Sequence, residues 1–258
     1  MKKLIVCLLF SAFFSSVNSG YGNENPSSQL KLENEKWPHR LYLGPEIFLF
    51  DLNTHVKNIK IDGLKCFEGL RFRYEYLKPK RVYAGVDFLS AVSYKSFNAS
   101  SQGYHFHQNN GVTGFGNFEL RLGYTFAYKN GMLTPFLGMG AYAFKTNGHY
   151  FHFRESMVYY AAGMRCLFEL SRIFSIGLNW KAFRTDATEQ RFKYVLMGQT
   201  ITDKDYNDMW GGEIGVPLIW NIGATKRWNI QVEPYFLKLD FSEVQNIYGS
   251  RFLFGCRL

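Results

Sequence analysis

Two sets of residues have the types and spacing to carry out chemistry. The first is imidazole and carboxylate in polar stretches. YHFHQ places His105 and His107 two apart, which on an extended chain puts both rings on one face, able to share a metal ion. His149 and His152, in GHYFHF, would join them if the two stretches are neighbours. No third-ligand spacing fixes that meeting, and the interleaved Tyr104, Phe106, Phe151 and Phe153 suit an aromatic rim. Asp51, His55, Asp186, Asp203, Asp205, Asp208 and Asp240 are raw material for acid–base hydrolysis, although carboxylates in polar loops are usually solvated. There is no nucleotide loop, nucleophile elbow, HExxH or CxxC. GFG at 114–116 and GMG at 138–140 are too short to cradle a phosphate and read as lumen or turn glycines. The expectation is no metal, no cofactor and no enzyme. Without a base-stacking or basic-helix pattern, nucleic acid is not expected as a partner.

The second set is ionic and sits inside apolar stretches at every second position. It comprises Glu46, Arg71, Arg73, Glu75, Asp87, Glu119, Arg121, Arg165, Glu169, Lys181, Glu213, Glu233, Arg251 and Arg257. These acids and bases balance, and Gly69, Gly85, Gly123, Gly163, Gly177, Gly211, Gly215 and Gly255 fall on the same phase. The alternate phase is rich in Phe, Leu, Tyr, Ile and Trp. FGNFELRLGYTFAY, residues 115–128, shows both: Phe118, Leu120, Leu122, Tyr124 and Phe126 alternate with Glu119, Arg121 and Gly123. A period of two is a β-strand with two unlike faces.

The elements that must hold these residues are legible from the same alternation. It recurs ten times, at 40–50, 65–77, 81–95, 115–128, 133–145, 157–170, 174–184, 209–222, 228–238 and 247–258. Each span meets or exceeds the ~9–11 residues a tilted strand needs to cross a bilayer. Short connections near Pro79, at 129–132, 171–173 and 223–227 alternate with long ones at 51–64, 96–114, 146–156, 185–208 and 239–246. Short turns at one end and long loops at the other are the pattern of an outer-membrane barrel. Aromatics make up 18% of the chain and mean hydropathy is −0.20, so apolar residues are abundant but interleaved. A soluble sandwich also alternates, yet glycines between charges suit a narrow lumen and only weaken a water-facing strand.

The remaining features fit export. MKK, then LIVCLLFSAFF, then SSVNS reads as a signal peptide over 1–19, followed by a flexible periplasmic lead over 20–39 and a barrel over 40–258. Cys66, Cys166 and Cys256 are odd in number and widely spaced, so they read as lipid-facing thiols rather than a disulfide framework. Tyr124, Phe126 and Tyr128, Phe72, Tyr74 and Tyr76, and Trp228 cluster beside short turns, as aromatic girdles do. Lys78, Lys80, Lys129, Arg172, Lys226 and Arg227 lie in turns without acids, where they would meet anionic headgroups. Pro45, Pro217 and Pro234 fall inside strands and require bulges or strand ends.

The signal peptide, the ten-fold alternation and the closing strand IYGSRFLFGCRL resemble the small outer-membrane β-barrel proteins of Gram-negative bacteria. YLGPEIFLF and LTPFLGMGAY carry the same resemblance. It implies an all-β fold: a single antiparallel transmembrane barrel of ten strands, or eight if 40–50 and 65–77 are discounted. It also implies docking to the barrel-assembly machinery through the last strand, where Gly249, Phe252, Phe254 and Cys256 hold the phase and Leu258 replaces the usual terminal Phe. Outer-membrane lipid and lipopolysaccharide are the expected surroundings. Ten-stranded members of the wider group include omptin-like surface proteases, but no omptin motif is present. A passive solute channel is the other alternative, weighed against a narrow bore and a self-neutralised lumen. The favoured expectation is a structural or surface-recognition barrel whose long loops meet a host or surface ligand.

Overall fold

Alternation becomes strand throughout the described chain. In the computed structural model these are residues 37–258, except 57–58, 95–96, 102–103, 109–110, 129–130, 150, 195–199, 206–209, 224 and 241–243. The segments expected to be a signal peptide (1–19) and most of the N-terminal lead (20–39) lie outside them. The strands are β1 (His39–Val56), β2 (Ile59–Leu77), β3 (Val82–Ser93), β4 (Phe97–Ser101), β5 (Tyr104–Gln108), β6 (Val112–Tyr124), β7 (Phe126–Tyr128) and β8 (Gly131–Asn147). They continue with β9 (Phe151–Glu169), β10 (Phe174–Tyr194), β11 (Thr200–Asp205), β12 (Trp210–Gly215), β13 (Leu218–Ile222), β14 (Trp228–Asp240) and β15 (Val244–Arg257).

These pieces make ten antiparallel walls, because β4, β5, β7, β11 and β13 extend or interrupt neighbouring strands. The first wall pairs with both the second and the last, so the sheet closes and leaves no edge. The eight-strand alternative is overturned: β1 and β2 pair rung by rung from His39↔Tyr76 to Val56↔Ile59.

The prolines sit where the ladder gives way. Pro217 separates β12 from β13, and its carbonyl accepts the Gly177 N–H at 2.7 Å. The Pro234 carbonyl accepts from Val216 N–H at 3.0 Å. Opposite Gly44 and Pro45 the β1–β15 register is interrupted between Leu43↔Phe254 and Glu46↔Arg251.

Much of what reads as long loop is strand. β4 and β5 form a hairpin inside 96–114, β9 begins within 146–156, and β10 runs on through most of 185–194 to pair with β11. The reason is environmental. Beyond the bilayer a wall has water on its outer face, so both phases carry polar residues, as in RTDATEQRFK, and the alternation fades while the ladder continues.

Outward side chains form an apolar belt: Leu43, Ile47, Leu70, Phe72, Phe88, Phe118, Leu120, Leu122, Leu137, Met139, Ile214, Ile230, Phe252 and Phe254 are exposed to the surroundings. At the short-turn end aromatic rings border it. Tyr124 meets Phe126 at 5.0 Å and donates to the Lys80 carbonyl, while Trp228 stacks on Phe254 at 5.3 Å. Cys66 and Cys256 are partly exposed, while Cys166 shares the outward phase but is covered by its neighbours. Gly114 and Gly116 also face outward, which corrects their reading as lumen or turn glycines: Phe115 between them is buried inside.

Candidate functional site in the barrel lumen

The lumen is built in three tiers. The middle tier is ionic and its groups arrive one or two per wall. From β1 comes Glu46, from β2 Arg71 and Arg73, from β3 Asp87, and from β6 Glu119 and Arg121. The far side supplies Lys181 on β10, Glu213 on β12, Glu233 on β14 and Arg251 on β15. Arg71 bridges Glu46 and Asp87, and Arg73 Nε donates to Asp87 at 2.7 Å. Across the bore Arg73 Nη1 reaches Glu233 at 3.2 Å. Arg251 then joins Glu233 at 3.0 Å to Glu213 at 2.6 Å, and Lys181 links Glu213 at 3.0 Å to Glu119, which also holds Arg121. Five acids and five bases thus form one neutral circuit.

Tyrosine hydroxyls fill the remaining acceptor capacity. Tyr235 donates to Glu46 at 2.6 Å and Tyr159 to Glu119 at 2.7 Å. Their rings lie over glycines: a Cβ at Gly249 would sit 2.7 Å from the Tyr235 ring, and one at Gly140 2.5 Å from Tyr159. The glycines of the inward phase make room for these rings as well as for ionic side chains. The space left among Arg73, Arg121, Arg165, Lys181, Glu213 and Arg251 is about 20 Å³, room for roughly one water.

Glu75 and Arg165 are not in this circuit. They pair with each other in the tier at the short-turn end, where Tyr83 Oη donates to Glu75 at 3.3 Å. Arg257 bonds Asn221 there at 3.1 Å. Glu169 is apart again, paired with Lys226 at 2.7 Å. This corrects the placing of Lys226 among headgroup-facing cations: at φ 49° its backbone turns and its side chain is buried.

The tier at the long-loop end departs most from expectation. Phe48, Phe50, Phe67, Phe115, Phe144 and Phe153 are buried inside the barrel, although the apolar phase was expected to face lipid. On β1 both phases are apolar there: Ile47 and Leu49 point out, Phe48 and Phe50 in. Phe67 stacks on Phe48 at 5.0 Å and meets Phe115 edge-on at 6.0 Å. Three inward charges were also missed. Lys65 donates to Thr113 at 3.0 Å, Glu155 accepts from Tyr142 at 2.9 Å, and Arg40 is buried near the short-turn end. Carrying the inward phase of Glu46, Arg71 and Arg165 along their strands would have found all of them.

The imidazole set is only partly visible. The backbone of β5 puts positions 105 and 107 on one face, but their side chains and that of His55 lie outside the described residues. His149 and His152 are exposed. Among the described residues no group of three or more His, Cys, Asp or Glu side chains is arranged to hold a metal.

No protein-family model and no curated protein matches the chain. Among solved structures it is similar to the outer membrane protease OmpT from Escherichia coli, at a TM-score of 0.63 and 8% identity over 85% of this chain and 96% of OmpT. It is also similar to the translocator domain of autotransporter NalP from Neisseria meningitidis, at a TM-score of 0.43 and 10% identity over 90% and 94% of the two chains. The toluene transporter TbuX from Ralstonia pickettii matches at a TM-score of 0.37 and 8% identity over 91% and 92%. At such identities the likeness is one of architecture. The closed ten-walled barrel is the fold of the Gram-negative outer-membrane β-barrels.

Proposed function

We propose that this chain is a non-conducting outer-membrane barrel whose role, structural or in surface recognition, is carried by its long-loop end. The observation that carries this reading is the neutral, packed ionic tier, with its remaining space of about 20 Å³. A conducting pore needs a continuous water path and usually an excess of one charge; a charge-balanced tier with so little space supports a closed lumen. Above it the aromatic tier adds a second, largely apolar obstruction. Recordings in planar bilayers test the seal: wild-type protein should show no steady conductance. Large, stable conductance would return the chain to the solute channels.

The recognition half of the proposal rests on the walls that project beyond the belt and the aromatic and amide residues they carry, among them the β4–β5 hairpin with YHFHQ. Removing that hairpin leaves Ser93↔Thr113 as a closed rung below it and unpairs only the Ile59–Asp62 end of β2, which keeps its ladder to β1. Cells displaying the protein without 96–110 should keep the heat-modifiable folded form and lose adhesion to the surfaces that the full chain binds. Undiminished adhesion by a folded variant would leave the structural role as the account of this end.

A further inference from the structure

We infer that the lumen binds one small monovalent anion, of the size of chloride, on Arg165, between the ionic circuit and the short-turn tier. Arg165 on β9 reaches across the bore to Glu75 on β2, although β8, β6 and β3 lie between those two walls. It does so with Nη1 alone. Its Nε and Nη2 are buried and have no hydrogen-bond partner. Those two N–H groups form the edge with which a guanidinium grips an anion through two parallel bonds. Left unmade away from water, both bonds forfeit the desolvation of their donors.

Charge decides what fills that edge. Arg40, Arg165 and Arg257 are all buried at this end of the lumen, and Tyr42 lies among the three. Arg40 stands directly opposite Arg257 on one side and Glu75 on the other. Arg257 donates to the neutral Asn221 at 3.1 Å, and Glu169 is taken by Lys226. Among the described residues, Glu75 is thus the carboxylate buried with three arginines. The circuit above has no acid to lend, because its acids are matched by its own bases. Like charges on facing strands repel, and a buried surplus of one sign is costly until a counter-ion joins it.

The space fixes the size of the anion. Arg165 lines the cavity of about 20 Å³ together with four cations of the circuit and two carboxylates, Glu213 and Glu233. Glu75 does not line it, so the ion pair and the cavity take different edges of the guanidinium. Room for roughly one water admits a halide and excludes phosphate or an organic acid. Water is the competing occupant, since it would donate to Asn179 Oδ1, which lines the same cavity without a partner. The buried surplus of positive charge favours the anion. This site goes beyond the proposed function, because a closed lumen does not require it.

Bromide is the probe, because it replaces chloride and scatters anomalously. Crystals of the detergent-solubilised protein grown with bromide as the halide should show an anomalous peak within hydrogen-bond reach of Arg165 Nε and Nη2. In solution, protein refolded with sodium isethionate as the salt is titrated with sodium bromide or chloride at constant ionic strength, and thermal unfolding is followed by circular dichroism. The unfolding temperature of wild type should rise saturably with either halide. Arg165→Lys keeps the charge and loses the two-pronged edge, so it should need about tenfold more halide for the same rise. Arg165→Met should show no rise. Bromide-grown crystals without a peak at Arg165 overturn the site whether or not the variants fold, and so does a wild-type unfolding temperature indifferent to halide. An undiminished halide response in folded Arg165→Met overturns the assignment to this residue.

Discussion

Replacing Arg251 with Ala is expected to cost the barrel about 3–5 kcal/mol, the range for removing one partner of a buried ion pair. Arg251 stands among three of the circuit's five carboxylates. Its guanidinium bonds Glu233 and Glu213, stands 3.6 Å from Glu46, and lies over the Tyr235 ring at 3.9 Å. Without it three carboxylates converge in a space that holds roughly one water, and Glu213 keeps only Lys181. The measurement is the temperature at which the compact gel form converts to the unfolded one. A large fall is expected for Arg251→Ala and a smaller one for Arg251→Lys, which restores charge but not the bidentate geometry. A double variant, Arg251→Met with Glu213→Gln, should recover part of the loss by removing a charge along with its partner. If Arg251→Ala unfolds at the wild-type temperature, the tier is hydrated and the circuit does not hold the walls.

The ionic circuit was legible in the sequence because bilayer and lumen impose opposite chemistry on alternate residues. Where lipid lies outside and charge inside, as in FELRLGY, the phase can be read directly. Ten walls and the inward placement of Glu119 and Arg121 follow from it. Legibility fails where the two environments converge. In IFLF, lipid outside and aromatic filling inside select similar residues, so Phe48 and Phe50 give no sign of their direction except by counting from Glu46. In FRES and RTDATEQRFK, water outside and buried polar groups inside do the same, and strand is mistaken for loop. The bulge between Thr185 and Ala187 shifts the phase by one residue, which hides which of the following residues face in. Long-range facts are a separate class. That Arg73 meets Glu233, 160 positions away, depends on the closure of the sheet and on tilt, neither of which has a local signature.

Truncating Phe67 separates stability from sealing. Its ring is fully buried and contacts four others: Phe48 at 5.0 Å, Phe115 at 6.0 Å, and Phe50 and Phe144 at 6.2 Å. Burial of a phenyl group plus its aromatic contacts puts the cost of Phe67→Ala at about 3–5 kcal/mol, seen again as a lower conversion temperature of the compact form. The void should be dry, since apolar side chains line it, and dry cavities of that kind accept small aromatic molecules. Benzene should therefore raise the conversion temperature of Phe67→Ala and leave that of wild type unchanged. Electrical behaviour should not follow stability. The ionic tier lies between this void and the short-turn end, built by different residues and packed to the scale of one water, so the variant should remain silent in a planar bilayer. Conductance appearing in Phe67→Ala would mean that ions pass the charge circuit freely and that the aromatic tier alone closes the barrel.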